Sequence, residues 1–324
     1  MLPKDNMPTI KEYYRKQGGT ELLMQYWRNG VLGTATIQFL LLGKSRTALE
    51  LLRQAVTLKT KERLEKKYRK VLQQFDAQWQ KSLPHQNRRT VWVFWWQGEE
   101  AMPKLVKKCF DSVNENMKDW EIVLLTEQNY LEYTTFPDYI LEKLKSGMIT
   151  LPHFSDLLRL ELLIRYGGLW LDATVLCISG EIPKSILKSD FFLFRPQKPG
   201  ADGKAITMSS WLMWAKTNNR ILMATQAMLY AYWQKNETLC DYFLLHHFMS
   251  IAMDYYEEES KKIPPFCNSV PHILLLHLFD RYDEQYWNDL KQMTCFHKLS
   301  YKLDDEKCSM ADTYYDVIIN KGLG

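Results

Sequence analysis

The stretch from His153 to Cys177, HFSDLLRLELLIRYGGLWLDATVLC, sets charges where apolar residues prevail. Asp156 and Arg159 stand one helical turn apart in a leucine-rich run, and Asp172 sits inside a hydrophobic strand pattern. An unpaired buried carboxylate is costly or shifts its pKa, so such a residue takes a partner, a metal or a ligand. Ser155 reads as an N-cap, residues 156–166 as a three-turn helix, and Gly167-Gly168 as its left-handed stop. That spacing puts Asp156 and Arg159 on one face. In the strand that follows, Trp170, Asp172 and Thr174 alternate onto one side, while Leu169 and Leu171 take the other. Taken alone, Asp156 and Arg159 equally suit a surface ion pair, and Trp96 and His297 read as core. His246-His247, in DYFLLHHF, reads as helix packing with one ring at the surface, an acceptor-site role remaining open.

The elements that must carry these residues follow from the changing period of the apolar positions. Residues 1–88 read as helical throughout, and the polar LPHQNRR, residues 83–89, marks a boundary with a second domain at 89–324. Val91 to Trp96 is a strand ended by Gln97-Gly98, Pro103 opens a helix, and EIVLLT from Glu121 is a second strand. A helix at Asp138 to Lys145, the helix after Ser155 and a strand from Leu169 to Ile178 continue the alternation. Further on, Ile221 to Gln234 and Tyr242 to Tyr256 read as amphipathic helices, and Thr294 to Lys302 as a final strand. The pattern predicts an α/β fold, a parallel sheet with helices on both faces and ligands gathered at the carboxyl ends of its strands, near Gly98 and Asp172.

Composition narrows the function. A chain of 324 residues, 46% hydrophobic and 25% charged, holds a sizeable core, and a net charge of +4 gives no global case for nucleic acid. Eleven Trp and eighteen Tyr exceed what a core asks for, and flat aromatic faces suit bases and sugar rings. Lys44 to Lys70 carries ten Lys or Arg against three Glu, a solvated helix face or a patch for anionic lipid. The six cysteines form no CxxC pair, which suits thiols in a reducing compartment. The N-terminus has no signal-peptide pattern, and Gly30 to Gly43 is too short to span a bilayer. It reads as a buried or interfacial helix, and the protein as cytoplasmic, with attachment to a membrane surface open. GxGxxG, GxxxxGK[ST], GxSxG and HExxH are all absent, removing the commonest nucleotide, acyl-transfer and zinc-peptidase readings.

Ser155-Asp156 with Arg159, then Tyr166-Gly167-Gly168, then Trp170 two residues before Asp172, resembles the donor-binding core of glycosyltransferases with the GT-A fold. More closely the chain resembles the capsular polysaccharide synthesis glycosyltransferases, relatives of family 32 and of the large clostridial glucosylating toxins. The likeness runs from VFWWQG and MPKLVKKC to HKLSYK near the C-terminus. It implies a Rossmann-like mixed sheet and a UDP-sugar donor, UDP-glucose or UDP-galactose, with Trp96 stacking on the uracil and Trp170 beside the donor. Asp156 and Arg159 would grip the sugar hydroxyls, and Asp172 would be the first acid of a DxD motif, holding ribose, sugar and Mn²⁺ or Mg²⁺. Thr174 stands where a second metal-binding acid is usual. His297, Lys298 and Lys302 would assist at the metal and the diphosphate. The resemblance further implies transfer of a hexose with retention to a lipid-linked oligosaccharide on the inner face of a bacterial plasma membrane. A catalytically weak nucleotide-sugar or glycan-binding subunit of an assembly complex is the alternative. A toxin-like enzyme acting on protein is a third, less favoured reading.

Overall fold

The computed structural model describes residues 20–79, 88–197 and 205–322. Its centre is a five-stranded sheet built from β1 (Thr90–Phe94), β2 (Glu121–Leu125), β3 (Gly168–Asp172), β5 (Phe191–Leu193) and β6 (Leu212–Ala215), in the order β2-β1-β3-β6-β5. β1 is parallel to both β2 and β3, whereas β6 runs antiparallel to β3 and to β5. The α/β class is as expected, but the sheet is parallel only over β2, β1 and β3; β6 and β5 make it the mixed sheet that the family resemblance implies rather than the parallel one that the alternation of elements predicts. β1 reads TVWVF, a nearly continuous apolar run rather than an alternating one, because it is covered on both faces.

The expected strand from Leu169 to Ile178 is two strands. β3 ends with the Asp172 N–H donating to the Trp211 carbonyl, its last rung on the β6 side. The chain then turns at Ala173-Thr174, and β4 (Val175–Cys177) pairs antiparallel with β7 (Phe296–Lys298) in a separate two-stranded sheet. Thr174 therefore lies in the turn and not on the face of β3. The final strand is correspondingly shorter than the stretch expected from residues 294–302.

Helices flank the sheet. α4 (Lys104–Asn116) starts after Pro103, and α5 (Asp138–Lys145) lies where the sequence predicts it. α6 (Leu151–Arg165) starts four residues before Ser155, with Thr150 at its N-cap and Pro152 in its first turn. A proline there sacrifices only an N–H that has no helical partner. Ser155 is therefore inside the helix, and its expected capping role is replaced by accepting a hydrogen bond from Arg159 Nη2 at 3.2 Å. Leu157, Leu158, Leu160, Leu162 and Leu163 of α6 are all fully buried, because the helix is sandwiched between the sheet and α7 (Arg220–Lys235). α8 (Leu244–Tyr255) packs on α7, and Trp287 and Leu290 of α9 (Glu284–Met293) lie in a smaller cluster with Leu176 of β4 and Leu299 just beyond β7.

The turn from α6 into β3 needs both glycines. Gly167 and Gly168 have φ of +69° and +97°, and a Cβ on Gly168 would lie 2.5 Å from the Thr90 carbonyl oxygen of β1. The Gly167 carbonyl accepts from Trp92 Nε1 at 2.9 Å, so this turn is tied to β1, the strand beside β3.

Before the sheet come α1 (Thr20–Arg28), α2 (Leu32–Leu42) and α3 (Arg46–Gln78). At 33 residues α3 is about 50 Å long. Leu64, Tyr68 and Leu72 in its second half join the main core against α7 and α8. Leu52 and Val56 in its first half instead join Tyr26, Val31 and Ala35 in a separate cluster. α2 is not the buried helix that its apolar composition allows: Ile37 and all of Phe39 to Leu42 are exposed. The boundary expected at 83–89 falls largely on residues 80–87, outside the described residues. No described helix is long and apolar enough to cross a membrane, and all six cysteines are free.

Candidate functional site

A cavity of about 660 Å³ opens at the carboxyl ends of β1 and β3, within the size range of small-molecule sites. Trp96, Asp156, Arg159, Trp170, Asp172, Thr174, Lys298 and Lys302 all line it. α6 supplies Asp156 and Arg159, β3 supplies Trp170 and Asp172, and β7 with the loop beyond it supplies Lys298 and Lys302.

Arg159 is the hub. Its Nη2 lies 3.2 Å from Asp156 Oδ1 and 3.5 Å from Asp172 Oδ1, and its Nη1 donates to the Ser210 carbonyl at 2.6 Å. The guanidinium stacks 5.0 Å from the centre of the Trp170 ring and is 4% exposed. A buried arginine shared by two carboxylates and a carbonyl has its fork fully committed, so it holds both acids in place. The exposed ion pair that the local spacing allows is thereby ruled out. Behind it, Trp233 Nε1 donates to His153 Nε2 at 2.9 Å, which leaves the ring proton on Nδ1. That nitrogen lies 3.4 Å from Asp156 Oδ2 without being aligned for a hydrogen bond.

Asp172 receives Trp170 Nε1 on Oδ1 at 3.1 Å, while Lys298 Nζ lies 3.1 Å from Oδ2. The same ammonium donates to Thr174 Oγ1 at 2.5 Å. Burial alone would raise the Asp172 pKa, but Lys298 and Arg159, with the hydrogen bonds from Trp170 and Lys298, outweigh it and hold the carboxyl below its ordinary value. Asp172 is therefore a carboxylate at neutral pH. Lys302 is exposed at the cavity.

Trp96 is half-buried, tilted against Tyr130 at 5.6 Å and edge-on to Phe154 at 5.9 Å. Trp170 is buried, so it serves as a wall that orients Arg159 and Asp172. His297 does not share the cavity. Successive residues of β7 point to opposite sides, and while Lys298 faces Asp172, the His297 ring is fully buried 5.5 Å from Trp287 with neither nitrogen hydrogen-bonded. Burial pushes it down to about 4.

For Mn²⁺ or Mg²⁺ the cavity offers few ligands of its own. Among the described residues no three His, Cys, Asp or Glu are placed to hold a metal, and the one carboxylate and one hydroxyl expected to do so already share the Lys298 ammonium. A divalent cation held there would take Asp172 alone or with Thr174, and would complete its octahedron with the donor's phosphates and water.

The cavity also takes in residues that the sequence did not single out: His153, Trp95, Ser210, Tyr242 and Tyr301. His153 stands three residues before Asp156 on α6, and Trp95 and Tyr301 adjoin Trp96 and Lys302, so all three were legible; Ser210 and Tyr242 arrive through distant chain segments. His247 is fully buried in the helix packing, while His246 is half-buried and faces the cavity with Nε2 3.3 Å from Ser210 Oγ. Burial, partly offset by Asp156, pushes His246 down to about 4, so its ring is neutral at neutral pH.

The chain is 31% identical over 99 residues to O-glycosyltransferase braB of Annulohypoxylon truncatum, covering 28% of this chain and 24% of that protein. It is 25% identical over 191 residues to O-glycosyltransferase PaGT of Phomopsis amygdali, covering 52% of this chain and 44% of the relative. The chain thus spans less than half the length of either relative. Among solved structures it is similar to the PaToxG glycosyltransferase, at 14% identity and a TM-score of 0.37 over 81% of this chain and 96% of that one. The capsular polysaccharide synthesis protein family matches residues 45–318, a span that takes in both sheets, the cavity and all of α3. By that match the chain belongs to the capsular polysaccharide synthesis protein family.

Proposed function

We propose that the chain is a glycosyltransferase of GT-A type that moves a hexose from UDP-glucose or UDP-galactose to a lipid-linked saccharide with retention of configuration. The observation that carries this reading is the buried Arg159, locked between Asp156 and Asp172 at the carboxyl ends of the parallel strands, with the ammonium of Lys298 beside them. Two ordered carboxylates accept hydrogen bonds from sugar hydroxyls. Trp96 offers a partly open aromatic face for the uracil.

Transfer breaks the bond from the anomeric carbon to the β-phosphate oxygen and forms one to the acceptor hydroxyl oxygen. The acceptor's proton goes to the departing phosphate, so no separate base is required. What the protein must supply is positive charge where the leaving diphosphate accumulates negative charge. Lys298, fixed by Asp172 and Thr174, and the exposed Lys302 supply it in this reading, in the place where a divalent metal would otherwise act.

Purified protein incubated with a panel of UDP-sugars should release UDP slowly by donor hydrolysis, and Asp172→Asn should lower that rate at least about 100-fold. Turnover in Asp172→Asn equal to wild type would sink the assignment. Calorimetric UDP binding with no turnover on any acceptor would favour the assembly-subunit reading instead.

A further inference from the structure

We propose that α2, with the exposed side of α1 and the first turn of α3, seats in the interface of an anionic lipid bilayer and holds the cleft mouth at that surface. Phe39 to Leu42 are four successive exposed apolar residues, Leu40 at 77% and Leu41 at 74%, so at its last turn α2 is apolar and open on every side. A turn apolar all round is buried in protein or in lipid, and the charge around it selects anionic lipid. Leu23, Met24 and Trp27 on α1 extend the apolar surface. Its charge is complementary to anionic headgroups: residues 22–49 contain no Asp or Glu, while Arg28, Lys44 and Arg46 are exposed, the last two directly beyond the apolar turn.

The same module touches the cavity's rim. Asn29 Nδ2, between α1 and α2, donates to the Cys240 carbonyl at 2.8 Å. Cys240 belongs to the connection between α7 and α8, whose Leu239 and Tyr242 line the cavity. A chain held at the bilayer through α2 therefore presents its cleft next to the surface where a lipid-linked acceptor resides. The membrane contact rests on α1 to α3 alone; only this acceptor clause rests on the transferase reading.

Flotation of the full chain with phosphatidylcholine vesicles, and with vesicles of three parts phosphatidylcholine to one part phosphatidylglycerol, tests the proposal. The chain should float with both, binding the anionic vesicles at least about tenfold tighter at low salt and losing that gain at high salt. A double variant, Leu40→Glu with Leu41→Glu, should bind both at least about tenfold more weakly while keeping its melting temperature and its UDP-sugar hydrolysis. A wild-type chain that stays with the unbound fraction, or a double variant that floats like wild type, overturns the proposal. So does self-association without lipid that the double variant abolishes while vesicles remain unbound, which would assign the face to a second copy. Vesicle binding that survives without any donor hydrolysis supports this inference and sinks only the reading of the cleft.

Discussion

At the scale of single residues, Lys298 carries the most consequential contact. A lysine ammonium is a compact point charge, and here it satisfies Asp172 and Thr174 together. If it replaces the metal, chelation by EDTA should leave wild-type UDP release unchanged. Lys298→Ala should then lower UDP release at least about 100-fold at saturating donor, without rescue by Mn²⁺. A wild-type enzyme silenced by EDTA and restored by Mn²⁺ would refute this role. Asp156, Arg159 and Asp172 were legible in the sequence because their types and spacing are local. The link from Lys298 to Asp172 spans 126 positions and depends on how β4 pairs with β7. His297, its neighbour in the chain, is turned away by strand alternation alone.

At the scale of elements, the turn between α6 and β3 sets where the site's halves meet. Gly168 combines a positive φ with a close approach to β1, so Gly168→Ala meets both backbone strain and a clash with the Thr90 carbonyl. It should cost about 2–4 kcal/mol, measured as a lower urea midpoint with unchanged m. A loss under about 0.5 kcal/mol would show that β3 can move away from β1 freely. The glycine pair was readable because helix stops have a composition. The start of α6 was misplaced at Ser155, since a serine before an apolar run imitates a cap, and the Thr150-Leu151-Pro152 opening lies further back. The break after Asp172 carried no local signal: Leu169 to Ile178 holds no glycine or proline, and only the register of β6 and β7 divides it.

At the scale of the whole molecule, buried histidines link stability to pH. Both His246 and His297 are held near 4, below the ordinary 6.5. Between those values the unfolded chain binds protons that the folded chain refuses, so stability is complete above about pH 6.5 and declines as pH falls towards 4. At about 1.36 kcal/mol per unit, each histidine accounts for up to about 3 kcal/mol of that decline. His297 isolates the effect because it lies outside the cavity with no hydrogen-bond partner among the described residues. His297→Leu should show a smaller drop in melting temperature between pH 7 and pH 5 than wild type; an equal drop would place the loss elsewhere. The sequence by itself determined the alternating elements, the glycine stop and the trio of charges on α6 and β3, since each depends on neighbours within a few residues. Only the tertiary structure decided that Lys298 meets Asp172, that His246 and Ser210 reach the cavity, and that α2 remains uncovered. Those outcomes depend on which distant surfaces pair, and an apolar helix reads the same in sequence whether protein, water or lipid lies against it.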